Sequence, residues 1–223
     1  ARQSKLMVKL FDQGEAGEVW VVFDQHASTV AGRNAESADE YGATIAISTI
    51  EKYLGMQLPV GYISYGTDPI TRPPVRGGTQ LEEITRSIAI SKPEGDVELV
   101  EILAELEPSV GSNTALVVIT ASRSLTSSGQ WVGALQGLAR RGVNVTVALL
   151  DRGSFLDPDQ RSGGDDDSNG DVLAELVGGG IRTYGVKQGQ PVALSLTEQI
   201  RESQIAVPVV DEGEVVEQPE VHE

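Results

Sequence analysis

The sequence predicts an α/β fold: a doubly wound, mostly parallel sheet with helices on both faces and an antiparallel edge strand. Three observations predict it. Five short apolar runs recur along the chain, segments with helical spacing separate them, and one strand-like piece is broken by a pair of prolines. Runs that stay apolar without alternating belong to strands buried on both faces, and strand–helix–strand order with helix-length crossovers implies parallel pairing.

The elements follow in order. The stretch SKLMVKLFDQ (4–13) is already strand-like, so residues 1–18 read as a lead-in strand from an upstream region. VWVVF (19–23) is the first strand of the domain. Ala43, Ile47, Ile50 and Leu54 step by four, three and four, which places them on one helix face, and Gly55 supplies a stop. LPVGYI (58–63) is the second strand. SYGTDPITRPPVRGG (64–78) turns at Asp68-Pro69 into a short piece over 70–75, and Pro73 and Pro74 confine that piece to an antiparallel edge because proline cannot donate to a ladder. Leu99, Leu103 and Leu106 mark a further helix, ALVVI (115–119) a strand, and Trp131, Leu135 and Leu138 a helix that stops at Gly142. VTVALL (145–150) follows, then VLAELV with Gly178–Gly180 behind it, then IRTYGV (181–186).

The domain proper is expected to span 19–204. Within it, residues 151–171 hold seven aspartates and few apolar groups, which predicts a flexible acidic loop with little to bury against its ordering entropy. Residues 205–223 are expected to be a disordered tail: 206–223 hold six acidic residues and no basic one.

Composition removes several function classes. There is no cysteine, hence no disulfide framework, zinc-thiolate site or thiol nucleophile. The formal net charge of −16 sits mostly in the back third: residues 1–150 carry 17 acidic and 12 basic side chains, residues 151–223 carry 16 and 5. No basic cluster exceeds the Arg140-Arg141 pair, so neither nucleic acid nor an acidic membrane surface suits this chain as a partner. No run is long enough to span a bilayer, and the expectation is a soluble, cytoplasmic piece of a longer protein, with any anchor upstream.

Ligands of doubly wound sheets sit beyond the carboxyl ends of the strands, where DQHAS closes the first strand. Asp24, His26 and Ser28 are therefore the first candidates. This run resembles the metal-ion-dependent adhesion site of von Willebrand factor A domains, whose Asp-x-Ser-x-Ser motif is completed by a threonine from a second loop and an aspartate ending the fourth strand. Asp24 and Ser28 match the motif, while His26 stands at the first serine. EGDVEL (94–99) puts Val97 at the threonine, and ALVVITAS (115–122) puts Ala121 at the second aspartate. Thr79 in RGGTQ is an alternative threonine, although it precedes the intervening helix. The resemblance thus implies a degenerate adhesion site, with no metal and no cofactor, on a rim formed by residues 24–34, Gly95–Val97 and 121–129.

A closer resemblance is to the bacterial domain-of-unknown-function family 58 within that superfamily. SKLMVKLFDQ, VWVVFDQ, ESADEYGATIAISTIEKYL, PVGYISYG and LARRGVNVTVALLD follow in the family's order over about residues 4–190. The resemblance implies an upstream membrane hairpin and an inserted β-rich segment. It also implies a MoxR-type AAA+ ATPase as protein partner and an adaptor role, with no enzymatic activity established for the family.

Other chemistries fare worse. The alternative from a different class is a hydrolase or phosphate-handling enzyme using Asp24 and His26. A triad of Asp24, His26 and Ser28 on one extended stretch cannot wrap acid, base and nucleophile around each other. GYISYG lacks the glycine at 62 that a nucleophile elbow around Ser64 needs. DDDSNGD (165–171) has Asp165, Asp167, Asn169 and Gly170 in calcium-loop order, but position 176 is Leu where a bidentate Glu belongs and Glu175 is one residue short. The turn after the first strand has none of the glycines of a dinucleotide site, and a P-loop is absent. The only other histidine, His222, lies in the tail.

Overall fold

The computed structural model describes residues 16–122, 129–157 and 169–191. Six strands form one sheet in the order β3-β2-β1-β4-β5-β6: β1 Glu18–Phe23, β2 Val60–Tyr65, β3 Pro69–Val75, β4 Thr114–Thr120, β5 Asn144–Leu150 and β6 Arg182–Val186. All neighbours pair in parallel except β2 with β3, which are antiparallel. The helices are α1 Ala38–Gly55, α2 Gly78–Ile90, α3 Leu99–Leu106, α4 Gly129–Arg140, the short α5 Arg152–Phe155 and α6 Gly170–Gly178.

Side chains alternate across each strand, which divides the core in two. Val19, Val21 and Phe23 point to one face, where they pack with Ile45, Ile50 and Tyr53 of α1, Ile84 and Ile88 of α2, and Phe155 of α5. Trp20 and Val22 point to the other, against Leu99, Ile102 and Leu103 of α3, Trp131 and Leu135 of α4, and Leu176 of α6. The four central strands are buried almost throughout, which is why they read as unbroken apolar runs.

The prolines do set the edge. β3 is largely exposed and pairs only with β2, with a register shift between Val60 and Tyr62. Pro73 and Pro74 offer no N–H there. Buried Gln80 of α2 supplies the missing donor, its Nε2 reaching Val60 O at 2.9 Å and Pro73 O at 3.0 Å.

Several expectations need adjustment. The buried stripe of α1 is Ile45, Ala46, Thr49, Ile50, Tyr53 and Leu54; Ala43 and Ile47 sit at its margin. The acidic stretch 151–171 is shorter as a loop than expected: α5 occupies 152–155, and α6 begins at Gly170. Phe155 is the cause at one end, since it is buried against Tyr41 with ring centroids 5.2 Å apart. Asn169 is the cause at the other, buried and donating from Nδ2 to Leu150 O at 2.6 Å. Asp165 and Asp167 of the imagined calcium loop lie outside the described residues, as do the lead-in over 1–15 and the expected tail. Among the described residues, no helix is long and apolar enough to cross a membrane.

Candidate functional site at the carboxyl ends of β1 and β4

The chain leaves β1 toward β2 on one side and arrives at β4 on the other, so the sheet's winding reverses between these two neighbours. Such a switch point opens a crevice at the strands' carboxyl ends. Asp24 stands there, one residue past β1, with its N–H donating to Ile119 O at 2.9 Å as the last rung toward β4.

Asp24 is only 2% exposed, and its carboxylate accepts three hydrogen bonds. Oδ1 receives the His26 N–H at 3.1 Å. Oδ2 receives the hydroxyls of Thr120 and Ser122, each at 2.6 Å. The Ser122 N–H donates to Thr120 Oγ1 at 2.8 Å, leaving the threonine proton to point at Asp24. Thr120 was not among the expected site residues, and Ser122 was expected only as part of the rim over 121–129, with no role of its own. The signal was their spacing: two apart at a strand end, they share a face, and Ala121 between them faces the other way.

Ala121 accordingly packs into the core on the α1 side, 3% exposed, rather than on the rim. Val97 is partly buried against the core on the α3 side. Thr79 lies in the first turn of α2 beside Gln80, which bonds to Val60 at the amino end of β2; it is therefore at the opposite end of the strands from Asp24. Ser64 is fully buried near the end of β2.

His26 caps a 3-10 turn over Ala27–Thr29. Its Nδ1 accepts the Ser28 N–H at 3.2 Å and lies 2.7 Å from Ser28 Oγ. Ala27 and Ser28 are exposed, as is Val30 at 40%. A second loop is stitched to this turn: Ala27 N–H donates to Gly95 O at 2.8 Å and Gly95 N–H to Gln25 O at 3.1 Å. Gly95 is required by crowding, since a Cβ there would lie 1.9 Å from Tyr65 O. Gln25, buried, accepts Ser64 Oγ and Ser91 Oγ on Oε1, each at 2.7 Å, joining the ends of β1, β2 and α2.

The stretch leading to α1 is fastened as well. Gly32 (φ 80°) and Asn34 (φ 54°) shape it, and Gln188 Nε2, just past β6, donates to Glu36 O at 3.0 Å. Among the described residues, no group of three or more His, Cys, Asp or Glu side chains gathers to hold a metal.

The sequence pattern of the family described as "Protein of unknown function DUF58" matches residues 1–158. The chain belongs to the DUF58 family. The match stops short of α6 and β6, which nevertheless complete the sheet of this DUF58 chain. The fold is that of von Willebrand factor A domains. It is similar to conserved hypothetical protein BatB from Bacteroides thetaiotaomicron, with TM-score 0.53 and 17% identity over 81% of this chain and 95% of that one. An aerotolerance-related membrane protein from Bacteroides fragilis gives TM-score 0.54 and 18% identity over 81% and 94%. A von Willebrand factor type A protein from Catenulispora acidiphila gives TM-score 0.50 and 9% identity over 81% and 41%. No protein of curated function matches the sequence.

Proposed function

We propose that this domain is a non-catalytic protein–protein interaction module that docks its partner on the rim without a metal ion, the partner being a MoxR-type AAA+ ATPase. The observation that carries this reading is the state of Asp24. Von Willebrand factor A folds imply a divalent cation at this place, and a hard cation wants about six or more oxygen ligands. The residues here do not fit one. Val97 brings no side-chain oxygen, Ala121 packs its methyl into the opposite core, and the Asp24 carboxylate already accepts three protein hydrogen bonds. Ser28 turns its hydroxyl to His26. The site is therefore read as a degenerate adhesion site.

What the rim offers instead is a fixed surface of exposed small and apolar side chains, Ala27, Ser28 and Val30, on loops that a rigid sheet holds in place. In the cell the domain would serve as the cytoplasmic adaptor part of a membrane-anchored protein. The test is binding of the purified domain to a purified MoxR-type AAA+ ATPase. Ser28→Arg with Val30→Asp is expected to weaken binding by about tenfold or more, each exposed anchor contributing of order 1 kcal/mol. EDTA is expected to leave binding unchanged. Loss of binding in EDTA would sink the metal-free mode, and equal binding by the double variant would move the docking surface elsewhere.

One observation favours a second reading, a hydrolase or phosphate-handling enzyme using Asp24 and His26: the His26 ring lies within hydrogen-bond distance of the Ser28 hydroxyl. Against it, the same Nδ1 caps the Ser28 N–H, and the Asp24 carboxylate bonds to His26 through the backbone N–H. Turnover of generic ester or phosphate substrates that disappears in both Asp24→Ala and His26→Ala would establish the enzyme.

A further inference from the structure

We infer that Asp24, Thr120 and Ser122 form a clamp that takes the place of a cation: it joins the ends of β1 and β4 and keeps the rim turn at residues 26–30 in one fixed form without an ion. The inference deepens the reading of the rim as a metal-free docking surface and rests on that reading only for what the rim binds.

The backbone ladder between β1 and β4 ends with the bond from Asp24 N–H to Ile119 O. Beyond it the two chains diverge, one toward α1 on one face and the other toward α4 on the opposite face. A split at that point leaves loops on either side free to move independently unless something spans the gap. In an ion-bearing site the cation would do this by drawing ligands from separate loops. Here the span is made of protein. The two hydroxyl bonds to Oδ2, at 2.6 Å, have the length of charge-assisted O–H···O⁻ contacts. Their direction is set, because Thr120 Oγ1 already accepts the Ser122 N–H and so gives its own proton to Asp24.

The other carboxylate oxygen passes the constraint on. Oδ1 holds the His26 N–H, and His26 in turn accepts Thr29 N–H and Thr29 Oγ1 on its carbonyl, at 2.9 and 2.8 Å. A continuous set of bonds thus runs from the end of β4 through Asp24 into the exposed turn. Burial sharpens the dependence: a carboxylate this enclosed must keep its donors, since water cannot replace them. Thr120 and Ser122 are positioning residues in this scheme, acting on the rim through Asp24.

The test is amide hydrogen exchange across the intact chain in four forms: the parent, Thr120→Ser, Ser122→Ala, and Thr120→Val with Ser122→Ala. In the parent, exchange at residues 26–30 is expected to be the same in EDTA and in millimolar Mg²⁺. The double variant is expected to speed exchange at 26–30 by at least about tenfold while the amides of β5 stay protected. Ser122→Ala should give a smaller effect of the same pattern, and it serves as the readout should the double variant not fold. Thr120→Ser keeps the hydroxyl and should match the parent. Faster rim exchange in EDTA for the parent would overturn the idea. So would rim exchange in the double variant within about twofold of the parent, or acceleration equal at the rim and in β5. Because no partner is involved, failure to bind the ATPase alongside the expected exchange pattern would remove the docking reading and leave the clamp standing.

Discussion

Three helices of this protein stop on the same backbone turn but not with the same residue. Leu58 N–H reaches back to Tyr53 O at 3.1 Å, Val143 N–H to Leu138 O at 3.2 Å, and Ile181 N–H to Leu176 O at 3.0 Å. Before each donor sits a residue with positive φ: Gln57 (62°), Gly142 (89°) and Gly180 (75°). Glycine takes this conformation freely, whereas a side chain crowds its own carbonyl there. Gln57 is exposed. Gln57→Gly is therefore expected to raise stability by about 0.5–1 kcal/mol, after the added freedom of the unfolded chain is deducted. Urea unfolding would show it as a higher midpoint at unchanged slope; a lower midpoint would mean the glutamine contributes more than its strain costs. The sequence reading set the end of α1 at Gly55, where the helix does end, but the left-handed residue of that turn is Gln57. Gly142 and Gly180 are visible as such, whereas a left-handed glutamine leaves no mark in the sequence. At the site the reading found Asp24 by its place after a buried strand, missed Thr120, and took in Ser122 only as part of the rim over 121–129. A motif position had fixed the search on residue 121, whose side chain faces the opposite core.

At the scale of elements, burial decides what a sequence displays. The central strands and the stripes of α3 and α4 were legible because their inward positions are mostly apolar: Leu99, Leu103, Leu106, Trp131, Leu135 and Leu138 are all buried, and the buried polar positions of the central strands, Ser64, Thr114, Thr120 and Thr146, are few. α2 was foreseen only as an unnamed helix between β3 and the next loop. Two of its four buried positions, Gln80 and Ser87, are polar, which erases the stripe. That polarity follows from the edge strand. Pro73 and Pro74 withhold two donors at the place where β2 and β3 shift register, and the Gln80 amide makes good the loss to two carbonyls at once. Gln80→Leu, close in size but without a donor, is expected to cost about 1–3 kcal/mol by leaving a buried acceptor unpaired. Its effect should be local: hydrogen exchange ought to rise in β3 and at the start of β2 before it rises in β4 or β5. A variant as stable as the parent would show that water reaches Val60 O and that the glutamine is dispensable.

Taken whole, the molecule carries a net charge of −16 at pH 7 around two apolar layers, and its polar interior is concentrated in side chains that stay uncharged. The phenols of Tyr53 and Tyr62 lie in the layer beneath α1 and α2. Burial pushes both well above the ordinary tyrosine range; at Tyr62 it outweighs the neighbouring Ser64 hydroxyl, and at Tyr53 it outweighs the positive charge of Arg182. The unfolded chain releases these protons near pH 10, and the folded chain holds them. A pKa raised on folding gives stability that is complete below the unfolded value and falls as pH climbs past it, because the unfolded state then binds fewer protons than the native one. Each such tyrosine should remove up to about 1.4 kcal/mol per pH unit above about 10. Stability is thus expected to hold steady up to about pH 9.5 and decline steeply beyond, with the phenolate absorbance of these two rings, read as the difference between the parent and the Tyr53→Phe and Tyr62→Phe variants, appearing together with loss of helix signal rather than ahead of it. Tyr62→Phe should flatten that decline while changing neutral-pH stability little. If phenolate absorbance for both residues rises while the fold is intact, these rings reach solvent, and the alkaline limb has another source.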